Sequence, residues 1–295
     1  MNTHCISLEH LAETLRLSGQ YRVYQKFAPR RDWPLDAAVE TRRAVLVDVE
    51  TTGLNHDRDA IIQLAVCPID YTLDGTIVRA DPCQTWLEDP GRPLDAVISK
   101  LTGLTDDDVR GQRIDDEAVT ALLQHARLVI AHNAAFDRPF LDRRLPIFAE
   151  KPWACTWRDV PWMHEGFANQ KLEWLVQELC GKFFQSHCAT EDTEVLVELL
   201  AARLPVGDRT VLAALLESAR TPRVRVWAER ARYEDRTLLK DAGYQWSAPF
   251  RCWYRDIPTG DIPREREWLG STLRVVPRVD GLSQLRRFSA SVEAD

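Results

Sequence analysis

The sequence predicts an α/β protein: a mixed β-sheet flanked by helices over residues 41–205, a helical extension before it (1–40) and a small α+β accessory unit after it (206–295). Three observations carry that reading. Short apolar, β-branched runs at 44–49, 60–66 and 127–131 have the length and composition of buried strands. Segments of helical period lie between and after them, the alternation expected of an α/β layer architecture. The charge balance also changes along the chain. Of 38 Lys/Arg and 45 Asp/Glu, residues 221–295 hold 14 and 11, which leaves 24 and 34 for the first 220.

A chain of 295 residues suffices for one large domain and a smaller one. With 45% hydrophobic and 28% charged residues it is neither disordered nor fibrous in composition. The first ten residues lack the basic start and apolar run of a secretory signal, and no stretch approaches a membrane span, so no membrane partner is expected. Seven cysteines (Cys5, Cys67, Cys83, Cys155, Cys180, Cys188, Cys252) are scattered and never in C-x-x-C spacing. That argues against disulfides and a cysteine zinc site, and for a cytoplasmic location. The net charge of −7 weighs against a polyanionic partner unless the acidic residues hold metal ions.

In chain order, Leu8, Leu11 and Leu15 recur at helical spacing, Ser18-Gly19 breaks the run, and 21–27 resumes it. This piece reads as a packing appendage, joined by a linker at 30–34 to the strand at 44–49. A second strand follows at 60–66, with a bent third at 76–79 and 84–87 and an Asp74-Gly75 turn between second and third. Helices are expected at 94–101 and 115–125, and a fourth strand at 127–131. The acidic run Asp106-Asp107-Asp108 is read as a capped helix start. Residues 152–170 are aromatic and irregular, with Trp153, Trp157, Trp162 and Phe167 read as packing. A helix from 171 stops at Gly181, and another over 195–204 ends at Pro205.

Three short constellations carry chemistry. Asp48 and Glu50 sit two apart at the end of the first strand, so both carboxylates leave the same face. Alone, the pair reads as a solvated acidic turn; a divalent cation is the simplest partner if the two are buried. Asp137, in His132-Asn133-Ala-Ala-Phe136-Asp137, falls in the first turn of a helix, where a carboxylate is ordinarily a cap and where Pro139 is tolerated. His187 precedes a helix whose early turns contain Asp192; a lone histidine there is ordinarily a solvated or capping residue.

Taken in order, Asp48-Val-Glu50-Thr-Thr-Gly53, His132-Asn133-Ala-Ala-Phe136-Asp137 and His187-Cys-Ala-Thr-Glu-Asp192 resemble the signatures of the DEDDh, DnaQ-like 3′–5′ exonucleases, over residues 42–204. Thr51-Thr52-Gly53-Leu54 and Lys171-Leu172 also match that family's context. The resemblance implies an RNase H-like fold and hydrolysis of a DNA 3′ end to nucleoside 5′-monophosphates. It implies two Mg²⁺ or Mn²⁺ ions on Asp48, Glu50, Asp137 and Asp192, with Asp48 bridging and His187 as general base. It places the terminal nucleotide against Thr51, Thr52, Gly53, Leu54, His132, Asn133 and Phe136, with Leu54 as a wedge. The implied partner is a single-stranded DNA 3′ end, or RNA, within a polymerase or repair assembly. RNase T and oligoribonuclease share the motifs, so an exoribonuclease is the alternative, and a non-catalytic nucleic-acid-binding scaffold is the alternative from another class.

The C-terminal residues 221–276 read as strand, helix, turn and hairpin, and resemble a small module found beside nucleic-acid enzymes. Their tryptophans, Trp246 among them, are expected in a compact core, while the interleaved arginines and aromatics of 223–255 leave open a contact to single strands. Residues 282–295 are read as a loose tail.

Overall fold

The computed structural model describes residues 7–30, 33 and 39–289. Its centre is a six-stranded mixed sheet formed by β1 (Thr41–Thr51), β2 (Ile61–Thr72), β3 (Ile77–Ala80), β4 (Gln84–Leu87), β5 (Leu128–Ala131) and β6 (Trp153–Cys155). The order is β3-β2-β1-β5-β6, with β4 pairing the other end of β2. β2 is antiparallel to β1, β3 and β4, whereas β1, β5 and β6 are parallel to one another. The expected mixed sheet with helices on both faces is therefore present.

Strand alternation divides β1 between two cores. Val45, Val47 and Val49 face one core with Val119 and Leu123 of the helix Asp116–Gln124 and with Phe140 and Leu141 of α1 (Ala134–Arg144). Ala44 and Leu46 face the other, made with Val195, Leu196 and Leu199 of α2 (Ala189–Ala201) and Val211, Leu212 and Leu215 of α3 (Val211–Arg220). Asp48 and Glu50 continue the second face, toward α2. α3, which the sequence reading assigned to the accessory unit beyond 205, packs in the core of the large sheet. The turn after β2 is pressed against it: Gly75 lies at φ 85°, and a Cβ there would stand 2.5 Å from the backbone of Ala213.

Several expectations change. Residues 21–27 are not helical. Gln25–Lys26 pairs in parallel with Lys182–Phe183, with Gln25 N donating to Gly181 O (2.9 Å) and Phe27 N to Phe183 O (2.8 Å), so an available strand edge captures the segment. The N-terminal piece packs through Phe27, which is buried in the α2 core, and not through the helix Leu8–Leu17, which buries no residue. Of the linker at 30–34, Arg31, Asp32 and Pro34 lie outside the described residues. α1 starts directly after Asn133, so Pro139 is inside the helix rather than in its first turn. Trp153 and Trp162 are fully buried, as packing residues should be.

The C-terminal sheet has the order β8-β9-β7-β10, with β7 Arg223–Ala228, β8 Gln245–Ser247, β9 Cys252–Pro258 and β10 Arg278–Leu282, all antiparallel. Val224, Val226 and Ile257 face a core with Leu239, Tyr244 and Leu269. On the other face Arg225 forks onto Asp256 (2.7 and 2.9 Å) and lies 4.4 Å over the Tyr254 ring, while Trp227 donates to Asp280 (2.7 Å). Trp227 is the buried tryptophan. Trp246 is half exposed, edge-on to Trp253, because its strand is the sheet edge. Residues 283–289 are no loose tail: Arg287 is buried and donates to Asp159; residues 290–295 lie outside the described part.

Candidate active site

The end of β1 brings the predicted acidic residues together. One carboxylate oxygen each from Asp48, Glu50 and Asp192 lies within 4.8 Å of the others. Asp48 and Glu50 leave the same face of the strand, and a register shift after Glu50 ends the regular pairing with β2. Asp192 stands in the first turn of α2, where its Oδ2 accepts from the backbone N–H of His187 (2.9 Å) and Cys188 (3.1 Å). Asp137 comes from the opposite side. α1 packs against the Val47 face of β1, and its first turn carries Asp137 over the strand, where Oδ1 accepts from Val49 N (3.3 Å). In this structure Asp137 is not within the 4.8 Å group, but its charge acts on both Asp48 and Glu50.

Burial and mutual repulsion dominate the electrostatics of the four carboxyls. Burial, then Asp137, Asp192 and Glu50, push the Asp48 carboxyl well above the usual carboxylate range. Burial, then Asp192 and Asp137, push Glu50 up to about 7. Asp137 is pushed up to about 7 by burial, against the backbone hydrogen bonds it accepts; Asp192 likewise rises to about 7 despite its two N–H donors. The largest effects on these four groups are burial, the neighbouring carboxylates and backbone N–H donors. Four hard oxygen donors with uncompensated charge fit a divalent cation of the Mg²⁺ or Mn²⁺ kind, and do not fit a soft metal.

His187 is exposed in the loop before α2, at φ 70°. An L residue in this left-handed region costs roughly 1 kcal/mol and needs the surroundings to hold it; the bond from its N–H to Asp192 does so. Strain and ligand are thus tied together: the residue proposed to carry the proton is held by one proposed to carry the metal.

The residues assigned to the terminal nucleotide divide. Leu54 projects from the site, 87% exposed. Thr51 and Thr52 are buried and hold the loop: Thr51 donates to Gly53 O (2.6 Å), and the Thr52 hydroxyl receives Arg92 (2.8 Å) and Ala60 N (3.0 Å). Gly53 is required by close approach, since a Cβ would sit 2.5 Å from Asp59 Oδ2, which is itself bonded to Asn55 N. Asn133 is exposed, and Phe136 packs on Phe140 (5.2 Å). His132 is turned inward. Its Nε2 donates to Gln170 O (2.9 Å), which fixes Nδ1 as the acceptor of the Thr156 hydroxyl (2.8 Å), and burial pushes its pKa down to about 4. With both ring nitrogens occupied, this histidine braces the loop after β5 instead of offering a nitrogen to substrate.

Sequence reasoning missed three positions. Gln63 pairs directly opposite Glu50 and its Oε1 accepts from Ala189 N (3.1 Å), joining the acidic strand to the start of α2. A polar residue inside the apolar run 60–66 was the available signal. Arg138, next to Asp137, is 1% exposed and bonded to carbonyls near the C-terminus. Asp159 accepts from Cys155 N (2.9 Å), Ser218 (3.1 Å) and Arg287, a junction of segments no local pattern connects.

Comparison with known proteins adds three findings. A family model named RNase_T and described as an exonuclease matches residues 45–200. The PolC-type DNA polymerase III of Bacillus subtilis is 32% identical over 177 residues, and that of Caldanaerobacter subterraneus subsp. tengcongensis 28% over 176. These alignments take in 56% and 57% of the chain but only 12% of each relative's length. The solved structure of "Exonuclease X in complex with 5' overhanging duplex DNA" covers 59% of the chain and 98% of its own, at 21% identity and a TM-score of 0.39.

Proposed function

The chain belongs to the RNase T exonuclease family, and we propose that within it the protein is a metal-dependent 3′–5′ exonuclease acting on DNA ends. The observation that carries the proposal is the meeting of Asp48, Glu50 and Asp192 within 4.8 Å, with Asp137 beside them. DNA is chosen as the polymer because the curated relatives are named as DNA polymerases. A polymerase or repair assembly is proposed as the setting on the same ground.

Asp48, Glu50, Asp192 and Asp137 would hold the divalent ions. When bound, such ions lower the pKa of a water and neutralise charge on the leaving 3′-oxygen. The protein's own part is positional and protonic. His187, exposed at the mouth of the acidic cluster, takes the proton of the attacking water, a task suited to an imidazole near neutral pH. The loop 51–54, held by Thr51, Thr52 and the Gly53–Asp59 contact, presents backbone and the exposed Leu54 to the last nucleotide. Attack on the terminal phosphodiester releases a nucleoside 5′-monophosphate and leaves a new 3′-hydroxyl.

The test is product analysis on matched 5′-labelled single-stranded DNA and RNA, each with Mg²⁺, Mn²⁺ or EDTA. Stepwise shortening of DNA that EDTA stops is expected. Shortening of RNA alone would move the chain to the exoribonucleases. Full-length strands with both metals, from wild type and Asp48→Ala alike, would leave only a binding role.

A further inference from the structure

Arg138 follows Asp137 directly in α1 and is 1% exposed. Arginine keeps its charge in proteins, so burying one is costly unless its donors are met. Here Nε donates to Asp142 (3.1 Å), Nη1 to the carbonyl of Arg287 (2.6 Å) and Nη2 to the carbonyl of Leu285, with the guanidinium 5.6 Å over the Trp153 ring. Two of its three partners therefore come from the far end of the chain. That end is itself anchored. Arg287 is buried and donates to Asp159, which also accepts from Cys155 N and Ser218, and Gln284 donates to Ala219 O (3.0 Å).

α1 has reason to need an outside clamp. Pro139 lies inside the helix and has no N–H for the carbonyl four residues before it, so the backbone ladder is interrupted just after Asp137. A helix weakened at that turn would let Asp137 drift from the bond its Oδ1 makes with Val49 N. We propose that Arg138 is a positioning residue: pinned by the carbonyls of Leu285 and Arg287, it makes residues 283–289 a strap that holds the α1 turn carrying Asp137 against the end of β1. The C-terminal segment thereby supports catalysis without touching substrate. This rests on the reading of Asp137 as a metal-binding carboxylate.

The experiment uses the full chain with Arg138→Met, Arg138→Lys, Asp137→Asn and, as a stability control, Ile77→Ala from the α2-side core. Turnover and KM are measured on a labelled single-stranded DNA, and the Mn²⁺ concentration for half-maximal thermal shift is measured without substrate. Arg138→Met should lower kcat on the order of 10- to 100-fold, as expected for misplacement of a catalytic group, with KM little changed. It should also raise the Mn²⁺ requirement severalfold. Arg138→Lys, which can still serve one carbonyl, should fall between. Ile77→Ala should lose thermal stability but keep both kcat and the Mn²⁺ midpoint. If Arg138→Met unfolds, the lysine variant carries the test with the same two readouts. Unchanged kcat and Mn²⁺ midpoint in the arginine variants, or a change in KM alone, would overturn the strap. Full activity in Asp137→Asn would instead remove the underlying role of Asp137.

Discussion

Asp48→Asn separates the electrostatic account of the site from a merely structural one. The change keeps shape and replaces a carboxyl that burial and its neighbours hold well above the usual carboxylate range, in a group where oxygens of Asp48, Glu50 and Asp192 lie within 4.8 Å of one another. Two like charges at that separation repel by about 3.5 kcal/mol at an effective dielectric constant of about 20. Proton uptake by the cluster and the buried amide's own hydrogen-bonding needs reduce the net effect. A net gain of about 1–3 kcal/mol is expected for the metal-free protein at pH 8, a rise in Tm of about 3–10 °C. At pH 5 the gain should disappear, since Glu50, Asp137 and Asp192, each pushed up to about 7, then keep their protons. With Mn²⁺ the order should reverse. Wild type gains about 2.7 kcal/mol at a hundredfold excess over Kd, whereas the variant, lacking a ligand, gains little. Cleavage should be lost throughout. The assays are thermal melts in EDTA and in Mn²⁺ at pH 5 and 8, with oligonucleotide degradation alongside. Equal Tm values for variant and wild type at pH 8 in EDTA, or wild-type cleavage by the variant, would refute the reasoning.

The remaining predictions concern the same cluster. In EDTA, stability should fall as pH rises from 5 to 8: the raised carboxylates hold more protons folded than unfolded between about pH 4 and 7, so stability present below pH 4 is lost through pH 7, by up to about 1.4 kcal/mol per pH unit for each group. Urea midpoints that rise over this range would contradict that sign. His187→Ala should reduce kcat by about 10²–10⁴-fold while keeping the Mn²⁺ thermal shift, because its bond to Asp192 is made by the backbone; loss of the shift would make His187 structural. Gln63→Leu strands Ala189 N at the start of α2, and should cost about 1 kcal/mol and lower kcat more than KM, read from melts and steady-state rates.

What the sequence made legible follows from range of interaction. Asp48 and Glu50 on one strand face, and Asp137 and Asp192 in first helical turns, depend on periodicities of two and 3.6 that are written locally. The strands at 44–49, 60–66 and 127–131 emerge as Thr41–Thr51, Ile61–Thr72 and Leu128–Ala131 for the same reason. Residues 21–27 and 283–289 were not legible, because what orders them is a strand edge at 182–183 and the guanidinium of Arg138. The orientation of His132 depends on Thr156 and Gln170, which no local pattern links to it.

The same distinction explains how a sequence with so ordinary an acidic triplet can build a site of this kind. Local rules deliver four carboxylates to element ends, but unfavourable burial and mutual repulsion then work to push those ends apart. The opposing ties are long-range and polar: Gln63 joins β2 to α2, the Asp137 carboxylate caps Val49 of β1, and Arg138 joins α1 to the chain's far end. Each tie ends on a backbone group, whose position is fixed by the sheet or helix around it. The Gln63 and Arg138 bonds involve none of the four carboxyls, so they do not depend on the protonation of the cluster. Under the proposed function, those two ties would keep α2 and α1 in place while the carboxyls exchanged protons for a cation.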